Sequence, residues 1–275
     1  MAPITPTADA SDAPSSVLVK SSQILDTISQ AGRGLRFKEL QHATHLSNAT
    51  LNRLLNHLSA LRLLNYDDAT STYAVGTRLI SWAHHALQEH PLRLAAADVL
   101  TSLRDQTEET VHLAVLEGVR LLYIDKREST KSVRMYSSVG RTAPLHCTGV
   151  GKAILAFQPS DVVDTVIDHL DFTVFTPTTL RSPDELRREL QAIRARGYAF
   201  DLGEHEEDVR CVAAPILDQH GYSRGGLSIT APAYRIGNTF KTSWPDLVRG
   251  CAATIARSFA YVSSPGTGAH PTVSG

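Results

Sequence analysis

Cysteine is nearly absent from this chain: Cys147, Cys211 and Cys251 stand far apart, and no two form a Cys-x-x-Cys pair. That spacing argues against a zinc ribbon and a disulfide framework and fits a reducing cytoplasm. No apolar run approaches the roughly 20 residues needed to cross a bilayer, so no membrane partner is expected. The opening MAPITPTADASDAPSS has neither a basic start nor an apolar core, so residues 1–16 predict a disordered lead and not a signal peptide. An excess of charge is missing too. The net charge is −1, which alone selects no polyanionic partner. A P-loop around Lys152 needs Gly where His146 stands and Ser or Thr where Ala153 stands. A Gly-x-Ser-x-Gly nucleophile elbow is not expected. His146 and Cys147 are chain neighbours, whose side chains usually diverge, and no Asp or Asn is placed to orient them. Neither catalysis nor a cofactor is expected.

What is present concentrates between Phe37 and Gly76. From Asn48 to Leu61, Leu51, Leu54, Leu55, Leu58 and Leu61 recur at helical steps and make one apolar stripe. Ser47 precedes the stripe, where a hydroxyl caps the free amides of the first turn. The opposite face offers Asn48, Ala49, Asn52, Arg53, Asn56 and His57, side chains that are short or planar. Such a face can rest against base edges, whereas a solvated helix more often carries Glu and Lys. Upstream, Phe37, Leu40 and Ala43 predict a short helix and Thr44-His45-Leu46 a tight turn. Downstream, Leu63 to Asp67 and Thr72 to Val75 predict two short strands around a polar turn. Helix, turn, helix and hairpin is the layout of a winged helix-turn-helix, whose second helix enters the major groove. The same periodicity also serves an ordinary helical bundle. Residues 17–80 hold seven Lys and Arg against four Asp and Glu, a small excess in the direction of phosphate contacts.

A first helix is expected over Ser22 to Ala31, and two more over Thr77 to Glu89 and Leu92 to Asp105, the latter opened by Pro91. These two helices connect domains or serve a dimer contact. From Thr110 the pattern changes. VHLAVLEG, RLLYIDKRE, VRMYSSVG, GYAFDLGE, RCVAAPILD and RGGLSITAP are strand-like, with helices at Gly149–Phe157, Ser160–His169, Ser182 to Gly197 and Trp244–Tyr261. That order predicts an α+β domain around one antiparallel sheet. The boundaries expected are 17–76 for the winged helix-turn-helix, 77–106 for linker helices, 107–263 for the second domain and 264–275 for a flexible tail.

Within the second domain, Cys147, Thr148, Gly149, Val150 and Gly151 lead straight into an apolar helix, so unpaired backbone amides should face outward and attract an anion of carboxylate size. A plain helix-capping turn is the alternative. The acidic run from Asp201 to Asp208 is expected to be a solvated loop, or to line a pocket in part, with Asp201 accepting from a ligand hydroxyl. Nothing in the run supports a metal at His205. Ser228 and Thr230 alternate with Leu227 and Ile229 and so share a strand face as pocket candidates or as a cross-strand hydroxyl pair. Cys211 reads as packing.

Four separated stretches together resemble the IclR family of bacterial transcriptional regulators: LSNATLNRLLNHLSALRLL with YAVG; VGRTAPLHCTGVGKAILAF; LRSPDELRRELQAIRARGYAFD; and RCVAAPILDQHG with LSITAP. The resemblance covers roughly Ser16 to Arg235. It implies a winged helix-turn-helix, a linker helix that dimerises and a GAF-like effector-binding domain. It implies a homodimer or dimer of dimers on a pseudo-palindromic double-stranded DNA operator, in the cytoplasm, answering to a small organic acid. It places effector contacts at Gly149, Val150, Asp201, Cys211, Ser228 and Thr230. On the DNA side Ser47, Asn48, Ala49, Thr50, Asn52, Arg53 and Asn56 meet the groove, and Lys38 and the wing meet phosphates. MYSSVGRTAPLHCTGVGKAILAF is similar to members that govern sugar-acid catabolism, which points to a repressor of a catabolic operon. The pattern departs from the family at His45 and Arg62, where Gly is usual and positive φ is at stake. A sensor module whose N-terminal domain pairs proteins instead of binding DNA is the other class that fits.

Overall fold

The computed structural model describes residues 16–132 and 137–263. The lead, apart from Ser16, and the tail lie outside the described residues, as does the 133–136 part of the expected strand VRMYSSVG. The chain divides into two compact units, residues 1–88 and 89–275.

In the first unit, α1 (Val17–Ala31) starts earlier than the expected Ser22, because Ser16 caps it by accepting from the Val19 N–H at 3.3 Å. α2 (Phe37–Thr44) and α3 (Asn48–Ala60) follow, then the antiparallel pair β1 (Leu64–Asp67) and β2 (Thr72–Val75). Leu35 bridges to Tyr73 and extends this wing by one chain. Ile24, Ile28, Leu40, Leu51, Leu54, Leu55, Leu58 and Leu64 form the core. The leucine stripe stops one residue short of expectation. Leu61 is 51% exposed, because α3 ends at Ala60 and the chain turns away. His45 and Arg62 do take positive φ, 54° and 58°. Each carries backbone strain that a glycine would avoid, and each ends a helix where the fold needs a sharp turn. α4 (Thr77–Gln88) has no buried residue, and Ile80 and Trp82 are exposed.

In the second unit, α5 (Pro91–Thr107) opens with Pro91 in its first turn. The strands are β3 (Thr110–Glu117), β4 (Arg120–Arg127), β5 (Thr142–Ala143), β6 (Ala199–Asp201), β7 (Val209–Leu217) and β8 (Ser223–Pro232). They form one antiparallel sheet in the order β5-β4-β3-β8-β7-β6. Ser137 to Gly140, the described part of VRMYSSVG, is irregular chain ending in a turn and not strand, and the short β5 after it lies outside the expected strands. β6 stops at Asp201 because the chain bends there. α6 (Gly149–Ala156) and α8 (Pro183–Arg196) cover one face, with α7 (Ser160–His169) beside them. α5 and α10 (Trp244–Ser263), the latter preceded by the short α9 (Thr239–Thr242), cover the other. Alternation along the strands serves both faces: Cys211 and Ala213 join the α6 core, while Val212 and Ala214 turn the opposite way. Among the described residues no helix is long and apolar enough to cross a membrane.

Candidate functional site

Two places carry chemistry, one in each unit. In the first unit, α3 buries its leucines and leaves Asn48, Ala49, Asn52, Arg53, Asn56 and His57 exposed. Ser47 caps the helix: its Oγ accepts from the Thr50 N–H at 3.4 Å and lies 3.0 Å from Thr50 Oγ1. These two hydroxyls are therefore tied to each other at the helix start. Lys38 sits elsewhere, in an open surface recess with Gln41, His42, His45 and Leu46.

In the second unit a cavity of about 60 Å³ opens between the N-terminus of α6 and the α6-facing side of the sheet. One buried water needs roughly 10–15 Å³ on such a measure, so the space suits a ligand of a few heavy atoms. Thr148, Gly149 and Val150 line it from the helix, Cys211, Ser228 and Thr230 from β7 and β8, and Asp201 from the end of β6. These are seven of the nine expected residues. Cys147 and Gly151 are not on the wall. Cys147 is fully buried behind it, and a Cβ at Gly151 would meet Thr148 Oγ1 at 2.5 Å, so that glycine serves close packing. Gly149 serves the site directly. A Cβ there would come within 2.9 Å of Cys211 Sγ, so only glycine lets the helix start press against β7. Thr148 Oγ1 donates to the Pro144 carbonyl at 2.7 Å and leaves the cap role to its backbone.

The acidic run divides between the two readings given for it, a solvated loop and part of a pocket wall. Of its carboxylates Asp201 and Glu204 are buried and Glu206 to Asp208 are exposed. Asp201 Oδ1 accepts from the Gly203 and Glu204 N–H groups at 3.0 and 2.7 Å, so it shapes its own turn. Thr176 and Thr178 donate to the Gly203 carbonyl and Thr179 to that of Glu204, pinning the same loop. Inside, Glu204 pairs with the wholly buried Lys152 of α6. Burial raises the Glu204 carboxyl to about 7, with Asp201 adding to the rise and Lys152 opposing it. Burial also raises Asp201 and pushes the Cys211 thiol up to about 12, which leaves no reactive thiolate at the wall.

Four wall residues escaped the sequence reading, His112, Tyr123, Ser137 and Val209, while His205 and Glu206 belong to the acidic run expected to line a pocket in part. His112 is buried, and its Nε2 meets Ser137 Oγ at 2.6 Å. Burial, with Lys126 nearby, pushes its imidazole down to about 3. Tyr123 reaches the cavity through a bulge. Leu113 pairs with Asp125 but Ala114 with Tyr123, so Ile124 is the extra residue and Tyr123 turns to the same face as His112. His205 packs edge-on to Phe175, with ring centres 4.8 Å apart.

Gly221-Tyr222-Ser223-Arg224-Gly225 does spell Gly-x-Ser-x-Gly, but it leads from a turn into β8, not from a strand into a helix. Ser223 Oγ is spent on the Gly225 carbonyl at 2.8 Å. No nucleophile elbow exists there. Among the described residues no three His, Cys, Asp or Glu side chains gather as a metal-binding set.

A helix-turn-helix with an uncovered amide-bearing face, and a separate unit built around a small polar cavity, define a ligand-responsive DNA-binding regulator. Residues 17–68 match the family model for the IclR helix-turn-helix domain, and residues 84–257 that for the bacterial transcriptional regulator IclR C-terminal domain. The chain is 32% identical over 254 residues to the HTH-type transcriptional regulator KdgR of Dickeya chrysanthemi, spanning 92% of this chain and 83% of that protein. The crystal structure of the Thermotoga maritima IclR superposes with a TM-score of 0.68 at 31% identity, covering 89% of this chain and 98% of that one. An IclR homologue from Microbacterium hydrocarbonoxydans, solved in complex with 4-hydroxybenzoate, shares the fold at 21% identity, with a TM-score of 0.75 and coverage of 90% and 100%. The chain belongs to the IclR family: it is a DNA-binding transcriptional regulator with an effector-binding C-terminal domain.

Proposed function

We propose that this regulator represses a catabolic operon and lets go of a pseudo-palindromic operator when a small organic acid enters the cavity of its second unit. The observation that carries the acid is the start of α6. Gly149 and Val150 line the cavity there, and the first amides of a helix have no partner within it. The solved relative that holds 4-hydroxybenzoate, itself a carboxylic acid, supports the same class. Thr148, Gly149, Val150, Asp201, Cys211, Ser228 and Thr230 form the contact set in this reading, and the small cavity favours a short acid over a full-length sugar acid. The effector must bind the two arrangements of the protein unequally, or it shifts nothing.

On the DNA side, Asn48, Ala49, Thr50, Asn52, Arg53 and Asn56 face bases, while Lys38 and the wing hold phosphates. A homodimer, or a pair of dimers, is supported by α4, whose Ile80 and Trp82 are exposed, Trp82 with the Arg78 guanidinium over its ring. Residues 77–106 then act as linker helices, and the protein works in the cytoplasm beside its DNA. Arg53→Ala should weaken operator binding by about 1–3 kcal/mol in a gel shift at fixed salt. An unchanged shift removes Arg53 from the interface. A thermal-shift screen against short organic acids and sugar acids tests the ligand class. Asp201→Ala or Ser228→Ala should lower affinity for the hit, and calorimetry showing no change removes them from the site. A reporter that falls silent on deletion of the regulator, instead of rising, overturns repression.

A further inference from the structure

The cavity has two unlike ends. At one are the amides of α6. At the other the register of β3 against β8 sets His112 directly across from Ser228, with Thr230 on the same face. All three side chains are more than nine-tenths buried. His112 Nε2 is engaged by Ser137 Oγ, but Nδ1 stands 3.4 Å from both Ser228 Oγ and Thr230 Oγ1, at the long end for such contacts. These groups can give or accept a hydrogen bond and carry no charge. Acidic groups, by contrast, do reach the wall: Asp201 inside and Glu206 at the mouth. The nearby cation of Lys126 is committed to the Ser137 carbonyl at 2.6 Å and to Glu128 at 2.9 Å.

Building on the acid reading above, we infer that His112, with the hydroxyls of Ser228 and Thr230, reads a neutral oxygen on the bound acid, so that the cavity selects hydroxy and oxo monocarboxylic acids over unsubstituted acids and over dicarboxylic acids. A hydroxyl or carbonyl oxygen seated beside His112 Nδ1 and the two hydroxyls adds a closer partner to hydrogen bonds that are long without it. A methyl or methylene in that place leaves His112 Nδ1 with only its 3.4 Å contacts to the two hydroxyls, and a site built for an oxygen penalises the analogue that lacks it. A second carboxylate meets Asp201 and Glu206, and among the described residues that line the cavity there is no Lys or Arg to offset them. The imidazole, held uncharged by its burial, supplies a dipole and not a countercharge. His112 thus sets specificity, while the α6 amides supply the attraction that all monocarboxylates share.

The test is isothermal titration of the full chain with propionate, lactate, 3-hydroxypropionate, pyruvate and malonate. At least one of the three oxygen-bearing monoacids should bind roughly tenfold or more tightly than propionate, and malonate should bind less tightly than that acid. His112→Leu should bring that acid to within about twofold of propionate, and His112→Gln should restore part of the difference. Should His112→Leu give no cooperative thermal transition, His112→Asn takes its place with the same readout. Acids that bind alike in the native protein, or a preference that survives the substitution, overturn the inference and leave the acid reading standing. Failure of every acid to bind overturns the acid reading, and the inference with it.

Discussion

Glu204 should make the second unit lose stability as pH rises. Its carboxyl titrates near 7 in the folded protein against an ordinary 4.5, because burial disfavours the charged form more than Lys152 favours it. A folded value above the unfolded one means the contribution is fully present below about 4.5 and is lost as pH climbs through 7. At 1.36 kcal/mol per tenfold, the full difference is about 3 kcal/mol, of which some 2–3 kcal/mol falls between pH 5 and 8. Asp201 leans the same way, and the buried, neutral His112 leans the opposite way below its unfolded value, so the raw slope mixes several groups. A paired variant, Lys152→Met with Glu204→Gln, isolates the one in question. Denaturant unfolding followed by Trp244 in a Trp82→Phe background reports on the second unit alone, since Trp82 lies in the first. The native protein should lose about 2–3 kcal/mol more than the paired variant between pH 5 and 8. Lys152→Met alone should cost about 3–5 kcal/mol at pH 8, where it strands a buried carboxylate, and less at pH 5. Parallel pH profiles for the native and paired proteins would refute the reasoning.

Two further outcomes follow from the same region. Gly149→Ala should destabilise the second unit by about 1–3 kcal/mol and weaken acid binding, because the new methyl meets Cys211 Sγ at 2.9 Å; adding Cys211→Ala should recover much of the stability, and a double variant no better than the single one rejects that contact as the cause. Iodoacetamide at pH 8 should modify Cys251, which is half-buried, and spare Cys147 and Cys211, whose thiols burial holds un-ionised. Mass spectrometry showing either buried cysteine alkylated in the folded protein contradicts that picture.

The first unit was largely legible from periodicity. A helix core needs its leucines at 51, 54, 55 and 58, and four such positions in thirteen residues leave little choice of face. Positive φ at His45 and Arg62 was legible only through the family resemblance, in which glycine is usual at both places. Leu61 shows where that logic stops. The periodicity continues through it, but the helix does not, and a stripe read from spacing alone has no means of sensing its own last turn. The start of α1 erred the opposite way: Ser16 was read as the end of a polar lead, and its capping bond to Val19 extends the helix into that lead.

The cavity wall separates what strand alternation can reveal from what pairing must supply. Ser228 and Thr230 announce themselves as hydroxyls among aliphatics on one strand, and Gly149 as a gap before an apolar helix. His112 sits in an equally regular strand, yet a histidine between Val111 and Leu113 has no local signal of its role, which comes from lying opposite Ser228, 116 positions away. Tyr123 is harder still. Lys126 lies across from His112, and by strict alternation a residue three positions away belongs on the other face. Only the bulged Ile124 brings Tyr123 back beside the imidazole, with ring centres 5.0 Å apart. The acidic run misleads for a related reason. Eight residues with five carboxylates look solvated, but Asp201 closes a turn onto its own backbone and Glu204 meets a lysine 52 residues earlier, so two of the five go inward. In each case the deciding partner is distant in the chain, and the charge or periodicity of the segment alone describes only the half of the interaction that it carries.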